Sequence, residues 1–167
     1  KGGAMTNPLI SEDLSDALYE QWVHERENAH IYLYIAGDLK NRGFDNLASH
    51  FEKQHDEEVG HSKIIYNLLT DLNTPVKIMD VSSVSLVIGT ILDIAKMYME
   101  REISTTESLD SIKQKAMEDN NPIVEEKMRE MIQLQQNEYE EATTFSDKAE
   151  LTGGDWFKVM LWDIASK

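Results

Sequence analysis

The sequence contains no cysteine and only three prolines and eight glycines among its 167 residues. The lack of cysteine excludes disulfides, thiolate metal sites and cysteine nucleophiles in this chain. The scarcity of proline and glycine leaves room for long uninterrupted helices. No apolar run is long enough to span a bilayer and no secretory signal is visible, so we expect a cytoplasmic protein without membrane contact.

Positive charge is scarce as well. The chain has 16 lysines and arginines against 31 aspartates and glutamates, which gives a formal net charge of −15. This balance argues against nucleic acid as a partner and suits the attraction of cations. The length fits one domain with a sizeable core. We therefore predict a single domain over residues 5–167 and interpret residues 1–4, before Met5, as an expression remnant.

Apolar residues recur in alternating steps of three and four along most of the chain, which predicts helices. We place four long helices at about residues 11–40, 46–71, 84–118 and 122–150, and a short fifth at about 156–165. The turn after the first helix is short, so the first two helices are expected to pack antiparallel. The next connection, at residues 72–83, is long enough to travel most of the bundle's length. These features predict an all-α four-helix bundle with one long crossover.

The stretch HDEEVGH, at residues 55–61, contains a carboxylate and an imidazole three positions apart, Glu58 and His61. On a helix this spacing places both side chains on one face, where they can hold the same transition-metal ion. Both also belong to the predicted inward row of the second helix. That row is Leu47, Phe51, Gln54, Glu58, His61, Ile65 and Leu68. Since charged residues are rarely buried unless paired or coordinating, the row predicts a metal site.

The other three long helices each carry inward polar residues near their midpoints. They are Glu25 in the first helix, Glu102 in the third, and Gln135 with Glu138 in the fourth. Helices of similar length bring their midpoints to one level, so these groups converge on one layer. Four carboxylates, an imidazole and an amide are not stable there as bare charges. Two closely spaced cations would neutralise them, which predicts a di-iron carboxylate centre.

Several residues allow more than one interpretation. A single buried polar residue in a bundle most often sets helix register, but that explanation would have to occur independently in four helices at matching heights. Tyr32 is either a core residue or a redox-active neighbour of the metals, and Glu57 contacts either the site or solvent. Met128 and Met131 are interpreted as core filling. The remaining histidines are interpreted as surface residues: His24, His30, His50 and His55.

In combination, these motifs resemble the ferritins, and within them the bacterial non-haem ferritins, over about residues 9–164. The stretches that carry the resemblance are ERENAHIYL from Glu25, EEVGH from Glu57, EREISTT around Glu102, QQNE from Gln135 to Glu138, and GGDWFKVMLWD before the end of the chain. The resemblance implies a ferritin-like four-helix bundle with a short C-terminal fifth helix. It also implies a hollow shell of twenty-four subunits that oxidises Fe(II) with dioxygen or peroxide and stores a ferric mineral.

The resemblance also implies roles for individual residues. Glu25 and His61 would be terminal ligands of one iron, Glu102 the terminal ligand of the second, and Glu58 the bridge. Gln135 would hydrogen-bond a ligand or a bound oxygen species, and Tyr32 would lie beside the metals. Glu57 and Glu138 are further candidate metal ligands. The short fifth helix carries Trp156 and Trp162, which we expect to be buried at a subunit contact because little of the bundle is left to cover them.

At a few positions this sequence differs from related families, and these differences bear on haem binding and on the number of irons. Bacterioferritins place a Met after the second-helix Glu and end their site in Glu-x-x-His, whereas this chain has Val59 and Glu138, so no haem is expected. Bacterial ferritins often hold a third iron at the first Glu of the second-helix motif and a run of fourth-helix acids. Here Leu134 and Asn137 replace two of those acids, which predicts two irons per subunit.

Two alternatives to a storage protein stay open at this stage. One is a ferritin-like di-iron oxidase or peroxidase of the rubrerythrin type, without storage, although this chain lacks the cysteines of a rubrerythrin iron module. The other is a metal-free structural bundle that oligomerises through its acidic faces.

Overall fold

The structure is a computed structural model that describes residues 9–75, 77–82 and 85–167. Its elements are α1 (Glu12–Asn41), α2 (Asp45–Asp71), α3 (Ile91–Glu118), α4 (Pro122–Thr152) and α5 (Trp156–Ala165). The part of the chain that the structure describes contains no strand, so the predicted all-α class is confirmed. The prediction about residues 1–4 lies outside the described residues.

Helix ends follow local sequence signals. The Ser11 side chain accepts a hydrogen bond from the backbone N–H of Leu14 at 3.2 Å and begins α1. Asn121 does the same for Val124 at the start of α4, where Pro122 fits the first turn because its missing N–H is not needed there. Gly153 ends α4 with φ of 60°, a left-handed conformation that glycine adopts without a Cβ penalty.

The predicted start of α3 was wrong. Residue 84 lies outside the described residues, but residues 85–90 belong to the connection, and α3 begins only at Ile91. The reason is a capping box: the Thr90 side chain accepts from the backbone of the first turn, and the Asp93 carboxylate accepts from the Thr90 N–H at 2.8 Å. Ile88 therefore lies in the link, where it is half-buried.

The connection between α2 and α3 crosses the full length of the bundle. At one end, the Leu9 N–H donates to the Leu72 carbonyl at 2.9 Å, so α2 ends where α1 begins. At the other end, Arg42 Nη2 donates to the Ile88 carbonyl at 3.1 Å, so α3 begins where α2 begins. Helices α2 and α3 therefore run in the same direction, and the predicted single long crossover is confirmed.

The core consists of two apolar clusters, one on each side of the polar layer. One contains Tyr32, Ile35, Leu39, Phe51, Tyr98 and Phe145, and the other contains Leu14, Leu18, Ile65, Leu109, Met128 and Met131. All seven members of the predicted inward row of α2 are buried, as are the inward polar residues predicted for α1, α3 and α4. None of the helices in the described ranges is long and apolar enough to cross a membrane.

Helix α5 closes the end of the bundle where α2 begins. Trp156 stacks on Phe44 with ring centroids 5.5 Å apart, and Trp162 packs against Phe145 at 4.9 Å. Both tryptophans stay half-buried in the single chain, so the expectation that they are buried at a subunit contact stays a prediction. The apolar side chains of α5 that remain exposed are Phe157, Met160, Leu161 and Ile164.

The start of α2 is completed by a residue from α5. Phe44, at the N-cap position, supplies no side-chain hydrogen bond to the helix. Instead Asp163 Oδ1 accepts from the backbone N–H of Leu47 at 2.8 Å, and the Asp163 carbonyl accepts from Asn46 Nδ2 at 2.9 Å. A carboxylate at a helix N-terminus also interacts favourably with the helix dipole. Asp163 therefore ties the last helix to the helix that carries Glu58 and His61.

Candidate metal centre

Five metal-ligand side chains meet in the middle of the bundle. They form two overlapping groups whose ligand atoms lie within 4.8 Å of one another: Glu25 with Glu58 and His61, and Glu58 with Glu102 and Glu138. Glu58 belongs to both groups. Glu25, Glu58 and Glu102 are almost completely buried, while His61 and Glu138 keep 8 % and 7 % of their surface exposed. The structure thus brings together the inward polar residues of all four long helices at one level.

The His61 ring contacts carboxylates through both nitrogens. Nδ1 lies 3.5 Å from Glu58 Oε2 and 3.8 Å from Glu25 Oε2. Nε2 lies 3.1 Å from Glu138 Oε1 on α4. The imidazole therefore sits between ligand groups contributed by α1, α2 and α4, and it can serve as a nitrogen donor beside oxygen donors.

Several of these buried atoms lack a hydrogen-bond partner among the described residues. They are Glu25 Oε2, both carboxylate oxygens of Glu58, Glu138 Oε2 and His61 Nδ1. Buried charged groups without partners are costly, whereas coordination of cations would satisfy these atoms. A set of carboxylate oxygens with one imidazole nitrogen suits transition-metal ions of intermediate hardness, including iron.

Protons compensate part of the buried negative charge. Burial and the neighbouring Glu25 carboxylate raise the pKa of Glu58 well above its usual value. Burial also raises the pKa of Glu138 to about 8, against the attraction of His61. Burial alone would lower the pKa of His61, but the nearby carboxylates of Glu25, Glu58 and Glu138 raise it to about 11. At neutral pH Glu138 and His61 therefore hold protons that cations would displace, and the raised pKa of Glu58 acts in the same direction.

Glu25 is held in its ionised form. Burial raises its pKa, but the neighbouring Glu58 and His61 side chains and a hydrogen bond from Gln21 outweigh that effect and lower the pKa to about 2. Gln21 Nε2 donates to Glu25 Oε1 at 2.7 Å, and Ser108 Oγ of α3 donates to Gln21 Oε1 at 2.6 Å. Neither Gln21 nor Ser108 was predicted. Gln21 lies one turn before Glu25, and that spacing was the signal that could have found it.

Glu102 is held by two neighbours. The Tyr32 hydroxyl donates to Glu102 Oε1, and Gln135 Nε2 donates to Glu102 Oε2. Burial raises the pKa of Glu102, although both of these hydrogen bonds oppose the rise. Burial also raises the pKa of Tyr32 well above its usual value, so its hydroxyl remains a donor. Tyr32 and Gln135 thus contact a candidate ligand directly, and their chemical roles stay predictions.

Glu57 lies outside both groups within the described part of the chain. Its carboxylate is 3.3 Å from Lys53 Nζ, which is also 3.5 Å from Glu141 Oε1. Glu141 Oε2 in turn accepts from Gln54 Nε2 at 2.9 Å. The candidate role of Glu57 as a metal ligand therefore stays a prediction, with a lysine ammonium as its neighbour.

The prediction that the other four histidines lie at the surface was wrong for three of them. His24 Nε2 is 2.8 Å from Thr105 Oγ1, and burial together with Arg101 lowers the pKa of His24 to about 4. His55 Nδ1 is 2.8 Å from the Ala29 carbonyl, and the His50 ring stacks on Phe145. These positions lie off the inward rows but face neighbouring helices, and only His30 is exposed.

Comparisons with known proteins agree with this fold. The ferritin family profile, described as a ferritin-like domain, matches residues 15–152. The chain is 27% identical over 111 residues to the bacterial non-heme ferritin of Staphylococcus aureus strain USA300, which covers 66% of this chain and 67% of that protein. It is 33% identical over 63 residues, or 38% of each chain, to the bacterial non-heme ferritin of Staphylococcus saprophyticus.

Solved structures share the fold at low sequence identity. An open pore ferritin from the archaeon Archaeoglobus fulgidus superposes with a TM-score of 0.88 at 21% identity, covering 94% of this chain and 97% of that one. The Chlorobium tepidum ferritin gives a TM-score of 0.83 at 17% identity, covering 93% and 94%. Because the family profile spans most of the sequence and the bundle matches these folds, the chain belongs to the ferritin family.

Proposed function

We propose that this protein oxidises Fe(II) at the buried centre and stores the product as a ferric mineral inside an oligomeric shell. The observation that carries the proposal is the pair of overlapping ligand groups that share Glu58. Two groups with one common carboxylate are what a pair of closely spaced cations requires. A metal-free structural bundle would gain nothing from burying four carboxylates when half of their oxygens have no hydrogen-bond partner among the described residues.

In this proposal Fe(II) is the substrate, and each ligand group binds one ion. Glu25 and His61 are terminal ligands at the first position, Glu102 and Glu138 at the second, and Glu58 bridges the two. The bound pair supplies two electrons, one from each ion, to dioxygen or peroxide. Gln21 orients Glu25, while Tyr32 and Gln135 orient Glu102, so the ligands are held in place before the ions arrive.

The ions enter and leave on the side formed by α2 and α4. His61 and Glu138, which face that side, retain some exposure, whereas Glu25 and Glu102 on α1 and α3 are fully buried. Glu57 and Glu141 add negative charge near the same helices, which attracts cations toward the opening.

Replacement of the shared carboxylate tests the centre directly. In Glu58→Ala both ligand groups lose a member, so the initial rate of Fe(II) oxidation should fall more than about 100-fold, since even residues that only support metal ligands typically contribute 10–100-fold. The helical fold should persist, because removal of an uncompensated buried carboxyl does not weaken the apo bundle. The rate is measured by near-ultraviolet absorbance after aerobic addition of Fe(II).

Glu52→Ala is the matched control for this experiment. Glu52 lies on the same helix, with its side chain 40% exposed and paired to Lys40. The control should oxidise Fe(II) at the parental rate. An unchanged initial rate in Glu58→Ala would contradict the site assignment, and a parent that does not oxidise Fe(II) would favour the metal-free bundle.

Binding of cations should release protons. Glu138 and His61 hold protons at pH 7 because their pKa values are raised to about 8 and about 11, and the pKa of Glu58 is raised as well. We expect about two or more protons to leave per pair of ions, so the affinity should rise with pH between about 6 and 8. Anaerobic calorimetry with Co(II) in buffers of different ionisation enthalpy measures this number. A binding heat that does not depend on the buffer would contradict the prediction.

Assembly distinguishes a storage protein from a small di-iron oxidase. We propose a shell of twenty-four subunits, with the exposed apolar face of α5, including Phe157 and Leu161, covered by neighbouring subunits. Size-exclusion chromatography with light scattering should therefore give a mass close to that of twenty-four chains. A monomer or dimer that still oxidises Fe(II) would instead favour the rubrerythrin-type oxidase without storage.

The iron stoichiometry should be two per subunit rather than three. Of the positions that hold a third ion in bacterial ferritins, Glu57 and Glu138 keep their carboxylates here, whereas Leu134 supplies no donor and Asn137 only a neutral carbonyl. The Lys53 ammonium at 3.3 Å from Glu57 further disfavours a cation there. Anaerobic Fe(II) titration by calorimetry measures the number. Anomalous scattering from a well-occupied third iron that touches Glu57 and Glu138 would contradict this prediction.

A further inference from the structure

A closed polar network joins α1 to α3 beside the metal centre. It consists of His24 and Asn28 on α1 and Arg101 and Thr105 on α3, and we call these four residues the α1–α3 clamp. Arg101 Nε donates to Asn28 Oδ1 at 2.5 Å, and Asn28 Nδ2 donates to Thr105 Oγ1 at 3.0 Å. His24 Nε2 lies 2.8 Å from the same hydroxyl, and Arg101 Nη2 lies 3.2 Å from His24 Nδ1.

The hydrogen bonds of the α1–α3 clamp define one consistent arrangement. The Thr105 hydroxyl donates to the Arg101 carbonyl of its own helix at 2.8 Å, so it accepts from both Asn28 and His24. His24 must then carry its proton on Nε2, which leaves Nδ1 to accept from Arg101. Asn28 and Thr105 are fully buried. A buried network with matched donors and acceptors rigidifies the elements that it joins.

The α1–α3 clamp surrounds two of the candidate ligands. His24 directly precedes Glu25, and Asn28 follows Glu25 by one helical turn. In the same way Arg101 directly precedes Glu102, and Thr105 follows it by one turn. The clamp therefore fixes α1 and α3 relative to each other at the height of Glu25 and Glu102.

The two ligand groups depend differently on the contact between α1 and α3. Glu25, Glu58 and His61 all lie on the α1–α2 hairpin. The other group takes Glu58 from that hairpin, but Glu102 and Glu138 come from the α3–α4 hairpin. A small shift of one hairpin against the other would leave the first group intact and change the spacing in the second.

We propose that the α1–α3 clamp positions the second ligand group by fixing the register between the two hairpins. Its four members are positioning residues, since none of them belongs to either ligand group in the described structure. This inference rests on the proposed two-cation function. It predicts that damage to the clamp weakens binding of the second cation selectively and leaves binding of the first cation unchanged.

Two substitutions of Thr105 distinguish the effect of its hydroxyl from the effect of its side-chain shape. Thr105→Val keeps the shape but removes the group that holds His24 and Asn28, whereas Thr105→Ser keeps the hydroxyl. Thr106→Val is the matched control, because the Thr106 hydroxyl donates to the Glu102 carbonyl within its own helix at 3.0 Å. Each variant and the parent are titrated anaerobically with Co(II), with binding followed by calorimetry and by the visible spectrum of the bound ion.

We expect the parent, Thr105→Ser and Thr106→Val to bind two Co(II) ions per subunit with similar affinities. In Thr105→Val the affinity for the first Co(II) ion should stay within about twofold of the parental value. The affinity for the second ion should fall by about tenfold or more, which is the range typical of residues that orient metal ligands. Arg101→Lys keeps the positive charge but loses the forked donors, so it should show the same selective loss if Thr105→Val does not fold.

Three outcomes would overturn the inference. Parental affinity for both ions in folded Thr105→Val and Arg101→Lys would leave the α1–α3 clamp as a stabilising contact only. If the affinities for both ions fell equally, the cause would be a general loss of structure rather than a change in the position of the second ligand group. A parent that binds no pair of Co(II) ions would refute the proposed function as well as the role of the clamp.

Discussion

Burial of four carboxylates around one imidazole is the constraint on which the rest of the structure depends. An isolated ionised carboxylate is too costly to bury, so each of these groups must hold a proton, accept a hydrogen bond or bind a cation. Different ligands are stabilised in different ways. Glu25 is ionised and stabilised by hydrogen bonds, whereas burial raises the pKa values of Glu58 and Glu138. The buried polar layer therefore lowers the stability of the metal-free bundle and at the same time favours the binding of cations.

The two apolar clusters on either side of the polar layer stabilise the bundle despite the buried charges. Each lies at one end of the bundle and packs all four long helices together, so the polar middle does not have to hold the fold by itself. Hydrogen bonds between helices then determine local geometry, as Ser108 does for Gln21 and Tyr32 does for Glu102. Stability and precise placement of the ligands thus come from different parts of the chain.

Much of the bundle could be predicted because an inward row is a property of one helix. The rows of α2 and α4, including Glu58, His61, Gln135 and Glu138, follow from spacing alone. The start of α3 was missed because the apolar residues before Thr90 continue the helical period, while the capping box stops the helix. Gln21, Ser108 and the buried His24 were missed because contacts between helices depend on how each helix is rotated against its neighbours, which spacing within one helix does not report.

The bond between Asp163 and the first turn of α2 has a consequence for the order in which the chain folds during synthesis. Asp163 lies 116 residues after Leu47, so the α1–α2 hairpin emerges from the ribosome long before the carboxylate that completes it. A missing N-cap typically costs a helix about 0.5–2 kcal/mol. We therefore expect the first turn of α2 to fray in the nascent chain until α5 docks and closes the bundle at the end where α2 begins.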